Sequence, residues 1–256
     1  MAMANQFSSD HVALVTGASL GIGAETAVEF ARRGAKVAVH YNSSKAEAEG
    51  VAERIEKEGG TAWLFQADVS DPEQARALSA NVLEKCGRVD TLVNNAGSLV
   101  ERRPFMDLTD DLWRKIMDIN VSSVIWVSQG IARHMKERGS GAIINLGSIA
   151  GHNGGGPGAM PYATSKAAVT CMTKGMAKEL VAFGIRVNAV NPGVILTPFH
   201  ERFTNDENMN KMVSMIPQGR AGSVEEISGV IAFLASQDAS HIIGESIEVN
   251  GGMLMD

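Results

Sequence analysis

Short apolar runs alternate with stretches of helical spacing along nearly the whole chain, and no other feature restricts the possible folds so strongly. VALVT at 12–16, KVAVHY at 36–41 and TAWLFQ at 61–66 predict buried strands. The runs TLVNN, AIINL, IRVNAV and SIEVN predict four more. Seven strands separated by helices imply right-handed crossovers. We therefore predict a doubly wound α/β fold, with a seven-stranded parallel sheet and helices on both faces.

The chain shows no sign of division into two units. No Pro/Ser-rich linker, repeat or low-complexity tract interrupts it, so we expect a flexible N-terminus at 1–10 and a single domain at 11–256. The stretch 198–222 departs from the alternation, since it combines two prolines, several methionines and mixed charges. We expect this stretch to be irregular and to form a mobile flap over a site.

Charge and cysteine content exclude several classes of function. A formal charge of −6 and a pI of about 5.6 argue against a nucleic-acid binder. Cys86 and Cys171 form no CxxC motif and lie near no His cluster, so neither disulfides nor a metal site are expected. His40, His134 and His152 lack metal-ligand spacing, and we expect them in solvent or in a substrate loop. Without a signal peptide or a long apolar run, a cytoplasmic location with no membrane contact is expected.

A glycine-rich turn follows the first predicted strand. Gly17, Gly21 and Gly23 are spaced GxxxGxG and open a helix. Glycines there let the backbone approach a pyrophosphate, and the helix N-terminus offers its N–H groups. The sequence therefore predicts nucleotide binding at this turn.

Tyr162 and Lys166 stand four residues apart in PYATSKAAVT, with Ser148 upstream. On a helix this spacing places a phenol and an ammonium on one face, where the cation is expected to lower the pKa of the phenol. Such a tyrosine can act as an acid or base near neutral pH. Together with the glycine turn, this set indicates hydride transfer between a nicotinamide and a carbonyl.

Four motifs, TGxxxGxG, NNAG at 94–97, a serine followed by YxxxK, and Pro192-Gly193, resemble the classical short-chain dehydrogenase/reductase family. The resemblance runs from about residue 11 to Gly252. In motif pattern it is closest to the 3-oxoacyl-carrier-protein reductases and the glucose or polyol dehydrogenases. It implies a Rossmann-type sheet, bound NAD or NADP, and a homotetramer with helix pairs and the C-terminal strand at its interfaces.

The resemblance also implies a catalytic set. Tyr162 would exchange a proton with the substrate oxygen, Lys166 would lower the phenol pKa and bind the nicotinamide ribose, and Ser148 would hold the substrate oxygen. Asn120 would position a water through its main chain. The family often has Ser-Ser where this chain has Gly147-Ser148, and the second serine is the catalytic one.

The cofactor residues implied by the resemblance come from six segments. Tyr41 stands where NAD-dependent members carry Asp, so NADP is favoured over NAD, although Leu20 stands where many NADP-dependent relatives have a basic residue. Ser43 and Ser44 are also expected to cap a helix. Asp68 and Val69 match the adenine-binding pair, with a turn aspartate as the alternative. The implied set is Gly17, Ser19, Leu20, Gly21, Ile22, Gly23, Tyr41, Asn42, Ser43, Asp68, Val69, Asn95, Ala96, Gly97, Tyr162, Lys166, Pro192, Gly193, Ile195 and Thr197.

The substrate is expected between three walls, at 98–104, 149–160 and 198–216. His152 and Asn153 suit the hydroxyls of a sugar, whereas Met209, Met212 and Met215 suit an apolar pocket or plain packing. Arg133 and Lys178 fall where 3-oxoacyl reductases have basic residues for an acidic acyl-carrier protein.

Two functions follow from this pattern, and two others fit it less well. The first is an NADPH-dependent 3-oxoacyl reductase, and the alternative is a sugar or polyol dehydrogenase. A cofactor-sensing regulator would lack Tyr162 or Lys166, and both are present. An epimerase or dehydratase of the extended branch would need a larger C-terminal domain than a chain ending at Asp256 is expected to hold.

Overall fold

The computed structural model describes residues 6–204 and 206–255, and these contain the seven expected strands in one wholly parallel sheet of order β3-β2-β1-β4-β5-β6-β7. The strands are β1 (Val12–Val15), β2 (Lys36–Tyr41), β3 (Ala62–Gln66), β4 (Thr91–Asn94), β5 (Gly141–Leu146), β6 (Ile185–Pro192) and β7 (Ser246–Val249).

Helices cover both faces of the sheet. They are α1 (Gly21–Arg32), α2 (Lys45–Lys57), α3 (Pro72–Cys86), α4 (Asp110–Met117), α5 (Ser123–Arg138), α6 (Ala150–Asn153), α7 (Met160–Leu180), α8 (Pro198–Phe203), α9 (Asp206–Ser214) and α10 (Val224–Ala235). A π-helical turn, Asp118–Ser122, joins α4 to α5, so the long helix expected within 110–137 is continuous but irregular at its centre.

The two faces of the sheet bury separate apolar cores. On β1, Ala13 and Val15 belong to one core, whereas Val12 and Leu14 belong to the other. This follows from the two-residue period of a strand. Because both faces are covered, the strand sequences are continuous apolar runs, which is why they were recognisable without structure.

The strand order reverses between β1 and β4, which are neighbours in the sheet. At such a point the loops leaving the two strands diverge and leave a crevice beyond their carboxyl ends. The glycine turn follows β1 and the NNAG segment follows β4, so the topology brings these two motifs together.

A chain of buried polar side chains ties the centre of the sheet to α5 and α7. The Asn94 amide donates to Ser128 Oγ and to Asn145 Oδ1, each at 2.9 Å. The Asn145 amide in turn donates to Thr173 Oγ1 at 2.9 Å. Every member is buried, so each of these bonds avoids the cost of an unpaired polar group.

The expectation of an irregular 198–222 is wrong for most of that stretch. Helix α8 begins at Pro198, a position where proline's missing N–H costs nothing, and α9 follows it. Met209, Met212 and Val213 have the i, i+3, i+4 spacing of a helix face. A parallel bridge between Ile195 and Gly222 closes the segment at its base.

The expectation of a flexible segment up to residue 10 is also wrong where the structure can test it. Residues 1–5 lie outside the described residues, but Phe7 is buried, and its ring centroid lies 5.2 Å from that of Phe30. The Phe7 N–H donates to Arg33 O at 3.0 Å. A single apolar residue has no periodicity, so the sequence gives no signal of this anchor. Within the described ranges, no helix is both long and apolar enough to cross a bilayer.

Candidate active site

A cavity of about 620 Å³ opens at the carboxyl end of the sheet and reaches from the glycine turn to Tyr162. Fourteen of the residues implied by the resemblance line it: Gly17, Leu20, Gly21, Ile22, Asn95, Ala96, Gly97, Ser148, Tyr162, Lys166, Pro192, Gly193, Ile195 and Thr197. Segments far apart in sequence therefore share one space.

The glycine turn is shaped so that side chains do not fit. Gly17 and Gly21 have φ of 63° and 56°, in the left-handed region that favours glycine. A Cβ on Gly23 would lie 2.3 Å from Gly17 O and 2.4 Å from Asn95 Nδ2. The helix therefore starts directly against the turn and against the NNAG segment.

Thr16 and Asn95 hold the turn in place. The Asn95 amide donates to Thr16 O at 2.9 Å and to Gly17 O at 3.0 Å. In the other direction, Thr16 Oγ1 accepts from the backbone N–H groups of Asn95 and Ala96 at 3.0 and 3.1 Å. These bonds hold the two loops against each other, and together the loops form the floor of the cavity.

The first turn of α1 fits a phosphate group. Its N-cap residue, Leu20, supplies no side-chain capping bond, and no acidic residue lies in the first turn. Leu20, Gly21 and Ile22 all line the cavity. Backbone N–H groups at a helix start, with their partial positive charge, are suited to the pyrophosphate of a dinucleotide.

Tyr162 and Lys166 lie one turn apart on α7, as their spacing predicts. Lys166 is 5% exposed, which excludes a surface pair, and its Nζ donates to Leu146 O at 2.7 Å. Nζ also lies 5.7 Å from the centroid of the Tyr162 ring. Ser148 accepts a bond from the Ala150 N–H at 3.1 Å, which holds its side chain near the end of β5.

The pKa of Tyr162 shifts opposite to the sequence-based expectation. Burial raises the pKa of this phenol to about 12, while a side-chain hydrogen bond with Ser148 acts in the lowering direction. Burial also lowers the pKa of Lys166 to about 8. With its ammonium 5.7 Å from the ring and hydrogen-bonded to a carbonyl, Lys166 does not overcome the desolvation of the phenol. The phenol therefore keeps its proton at neutral pH in this state.

Asn120 lies behind the cavity in the π-helical turn. Its amide donates to Ser98 O at 2.7 Å and Ile116 O at 2.8 Å, while its Oδ1 accepts from the Ser98 N–H. A Cβ on Gly97 would lie 2.6 Å from Asn120 Oδ1 and 3.3 Å from Lys166 Nζ. Because Gly97 has no Cβ, Asn120 and Lys166 can both lie close to it.

Residues beyond β2 and β3 stand apart from the cavity. Asn42 and Ser43 are exposed, whereas the Tyr41 side chain is buried in the apolar core. Ser44 is the N-cap of α2, but its side chain makes no capping bond, contrary to expectation. Ser19 borders a neighbouring cleft with Leu20 and Gly21.

The adenine-pair residues after β3 have local structural roles. Asp68 Oδ1 accepts from Ser70 N and Ser70 Oγ at 2.9 and 2.6 Å, so the turn-aspartate alternative holds for this oxygen. Val69 is buried in the core.

His40 was missed as part of the site, since it is buried rather than in solvent or a substrate loop. Its Nδ1 accepts from the Gly17 N–H at 3.0 Å, and its Nε2 lies 3.1 Å from Ala67 O. A carbonyl only accepts, so the proton is on Nε2. Burial lowers the pKa of His40 to about 4. The neutral ring thus links the glycine turn to the residue preceding Asp68.

His134 differs from expectation, whereas His152 is exposed, as expected. His134 is half-buried on α5. His152 Nε2 lies 3.2 Å from Glu248 Oε1 and 3.1 Å from the Asn191 amide, and His152 does not line the cavity.

The end of β6 forms the side of the cavity opposite the NNAG segment. A Cβ on Gly193 would lie 2.7 Å from Asn250 Cβ, so glycine is required for this close approach. Thr197 Oγ1 donates to Ile195 O at 3.2 Å. A Cβ on Gly21 would lie 3.4 Å from Thr197 Cγ2, which shows how closely this segment approaches the glycine turn.

All three expected substrate walls line the cavity. Asn153, Met212 and Met215 contribute to it, whereas Met209 does not. Sequence reasoning missed Phe199, whose ring centroid lies 5.7 Å from that of Tyr162, and two arginines, Arg102 and Arg202. The sequence did contain a signal for these two arginines, because both lie within segments that were expected to form substrate walls.

Metal chemistry has no visible support in this site. Among the described residues, no group of three or more His, Cys, Asp or Glu side chains could hold a metal ion. Cys86 and Cys171 are free thiols.

Comparisons with known proteins agree with this geometry. Residues 17–254 match the family model described as Enoyl-(Acyl carrier protein) reductase. The chain is 41% identical over 243 residues to the 3-oxoacyl-(acyl-carrier-protein) reductase FabG of Staphylococcus aureus, covering 95% of this chain and 98% of that protein.

Two solved structures place the same fold beside NADP or NADPH. The blue fluorescent protein from a metagenomic library, in complex with NADPH, has a TM-score of 0.89 at 37% identity, covering 96% of this chain and 98% of that one. The gluconate 5-dehydrogenase from Burkholderia cenocepacia, in complex with NADP and tartrate, has a TM-score of 0.90 at 33% identity, covering 99% and 98%. With the family model and the FabG match, they identify the chain as a member of the short-chain dehydrogenase/reductase family, an oxidoreductase that acts on a carbonyl or CH–OH group with NAD(P).

Proposed function

We propose that this protein reduces the carbonyl of a 3-oxoacyl substrate with NADPH. The main observation is the single cavity that joins the phosphate-binding end of α1 to a protonated phenol. A bound nicotinamide would supply the hydride, and the chain would supply the proton. With a pKa of about 12, Tyr162 is protonated at neutral pH and can supply this proton.

The four residues Asn120, Ser148, Tyr162 and Lys166 form the proposed catalytic machinery. Tyr162 donates its proton to the carbonyl oxygen as negative charge develops there. Ser148 lines the same cavity and is placed to donate a second bond to the same oxygen. Lys166 carries a proton at neutral pH, because its pKa is about 8, and can replace the one that Tyr162 loses. Asn120 would position a water through its main chain, and that water would link Lys166 to solvent.

The cofactor would lie along the cavity floor. Gly17, Gly21 and Ile22 would face its pyrophosphate, and Pro192, Gly193, Ile195 and Thr197 would flank its nicotinamide end. Ser19, Leu20, Tyr41, Asn42 and Ser43 would surround the adenosine ribose, and Asp68, Val69, Asn95, Ala96 and Gly97 would complete the groove.

A preference for NADP over NAD has two supports. No carboxylate stands at the end of β2 to repel a 2′-phosphate, because that place is taken by Tyr41. Asn42 and Ser43 are exposed beside it, and the side chain of Ser44 is not used for capping. The NADP and NADPH complexes of similar structures are consistent with this preference.

The carrier-protein relatives favour a 3-oxoacyl thioester over a sugar. Arg133 and Lys178 are exposed on α5 and α7, where an acidic acyl-carrier protein would dock. A sugar or polyol dehydrogenase remains the second candidate. Asn153 lines the cavity and the gluconate 5-dehydrogenase is similar, but His152 is bound to Asn191 and Glu248.

The first test follows cofactor absorbance at 340 nm with an acetoacetyl thioester, using NADPH and NADH in parallel. Rapid consumption of NADPH, and slower consumption of NADH, is expected. Equal rates would contradict the NADP preference. If neither cofactor is consumed by a protein that still binds NADPH, the proposed 3-oxoacyl reduction is wrong, and sugar or polyol oxidation becomes the favoured function.

The second test removes the proposed acid. Tyr162→Phe should abolish turnover and leave NADPH binding, measured by fluorescence, within a few-fold of the original. Thr164→Val is the control, since it removes a hydroxyl from an exposed position of the same helix outside the cavity and should leave turnover unchanged. Substantial turnover by Tyr162→Phe would refute the acid–base assignment.

We also propose a cytoplasmic homotetramer, with 198–222 acting as a flap. The exposed apolar side chains of Val181, Phe183 and Phe233 lie at the ends of α7 and α10 and suit burial between subunits. Light scattering should give four times the 27.1 kDa of one chain, and a monomeric mass would refute the assembly.

A further inference from the structure

The charges in the cavity are one-sided. The described residues that line it include Arg102, Lys166 and Arg202 but no Asp or Glu, in a chain whose formal charge is −6. Negative charge is therefore present in the chain but absent from this surface. A cavity lined by one sign of charge concentrates ligands of the other sign.

Arg102 is held in a fixed orientation where all three substrate walls meet. Its Nε donates to Phe203 O at 2.9 Å, and its Nη1 donates to Pro157 O at 3.0 Å. Both acceptors are neutral carbonyls, so the bonds orient the guanidinium without neutralising it. Arg103 differs, because it pairs with Glu101.

The guanidinium retains donors for a ligand. Arginine has five N–H donors in a planar fork, and the two bonds above use two of them. Since Arg102 lines the cavity, its remaining N–H groups are suited to the two oxygens of a carboxylate or phosphate.

An apolar path separates Arg102 from Tyr162. The Phe199 ring contacts Tyr162, with centroids 5.7 Å apart, and the Phe203 ring contacts Phe199, with centroids 5.0 Å apart. The Phe203 carbonyl then holds Arg102. A substrate spanning this path would have its carbonyl at one end, a short apolar segment in the middle and an anionic group at the other end.

We propose that Arg102 is a specificity-determining residue that binds a carboxylate or phosphate of the substrate, several bonds from the carbonyl that is reduced. This inference rests on the proposed function for the position of the carbonyl. The anion is either the carboxylate of a free oxo acid or the phosphate of a carrier arm, and the chemistry at Arg102 is the same for both.

Paired substrates test the charge directly. Oxo acids from acetoacetate to 6-oxoheptanoate are compared with their uncharged methyl esters, and acetoacetyl-coenzyme A with uncharged acetoacetyl-N-acetylcysteamine. We expect at least one anionic member to have a KM about tenfold or more below its neutral partner. If an oxo acid is preferred over its methyl ester, the group bound at Arg102 is a carboxylate. If acetoacetyl-coenzyme A is preferred over acetoacetyl-N-acetylcysteamine, the group is a phosphate. No preference in any pair would overturn the proposal.

Variants separate recognition from support of the walls. Arg102→Gln should raise KM for the preferred anion on the order of tenfold to hundredfold, with the neutral partner within about twofold. Arg102→Lys, which keeps the charge but loses the fork, should lie between. Arg103→Gln, the matched control, should behave as the unmodified protein. Equal losses for charged and neutral substrates would show that Arg102 only holds the walls together.

A binding measurement keeps this test independent of turnover. Glutarate, a dicarboxylate without a ketone, is titrated calorimetrically into each protein with NADPH bound. Affinity should fall at least tenfold in Arg102→Gln and remain unchanged in Arg103→Gln. Equal affinity in all three proteins would overturn the anion site, even if the proposed reduction failed for another reason.

Discussion

Acidification should destabilise this protein through one buried ring, that of His40. In the folded chain His40 is neutral, since its Nδ1 accepts from the Gly17 N–H and burial lowers its pKa from 6.5 to about 4. In the unfolded chain the ring takes up a proton near pH 6.5. Between these values the unfolded state binds more protons, so the free energy of unfolding falls as the pH falls.

The size of this effect follows from the two pKa values. At 1.36 kcal/mol per pKa unit, the linkage costs about 3 kcal/mol in all, most of it between pH 7.5 and 4.5. Protonation also places an N–H on Nδ1 against the Gly17 N–H, which removes the bond that holds the glycine turn. Affinity of the folded protein for NADPH should therefore weaken only as the pH approaches about 4, the pKa of the folded-state ring.

Urea unfolding of the original protein and of His40→Asn at pH 7.5, 5.5 and 4.5 measures this term. The asparagine does not titrate, and its Oδ1 can accept from the Gly17 N–H. All other ionisable groups are the same in the two proteins, so their contributions cancel in the difference. At pH 7.5 the variant should be less stable by about 1–3 kcal/mol, because ring packing and the bond to Ala67 are lost. The gap should shrink by about 2–3 kcal/mol at pH 4.5. A gap that stays constant with pH would refute the reasoning.

Three further outcomes are expected. Gly23→Ala should weaken NADPH binding in a fluorescence titration at least tenfold, since its Cβ would lie 2.3 Å from Gly17 O. Gly50→Ala, with open space around it, should leave binding unchanged. Equal affinities of the two variants would contradict the packing of the turn. Asn145→Ala should lower the free energy of unfolding by about 1–3 kcal/mol in denaturant, because buried partners lose their bonds, and a change below 0.5 kcal/mol would contradict this. A thiol reagent at pH 8 should modify exposed Cys171 before Cys86, whose pKa burial raises to about 11, and the fast phase should disappear in Cys171→Ser.

Local sequence patterns were sufficient where a single element carries the information. The strands of this sheet are buried on both faces, so runs such as VALVT are visible as uninterrupted apolar segments. Helix α3 has local signals at both ends, because Asp71 caps it, Pro72 begins it and Gly87 ends it in the left-handed region. The alternation of such elements then fixes the class of fold.

Contacts between distant segments were beyond these patterns. Arg102 gains its role from carbonyls of Pro157 and Phe203, which lie 55 and 101 residues away. The α8–α9 segment was misread as irregular, because its helices have only 6 and 9 residues and its Met212 lines a cavity. The exposure of side chains at the end of β2, where Tyr41 turns into the core, was likewise beyond these patterns.

By itself, the sequence determined the α/β alternation, the glycine turn after β1 and the one-turn spacing of Tyr162 and Lys166, since each depends on backbone geometry over a few residues. Only the tertiary structure decided the electrostatics of the site. Burial raises the pKa of the Tyr162 phenol to about 12, and His40 is neutral where it bonds the glycine turn. Spacing fixes which face a side chain occupies. Its pKa and its partners depend on how much water the rest of the fold removes and which carbonyls it brings close, and these are properties of the assembled chain.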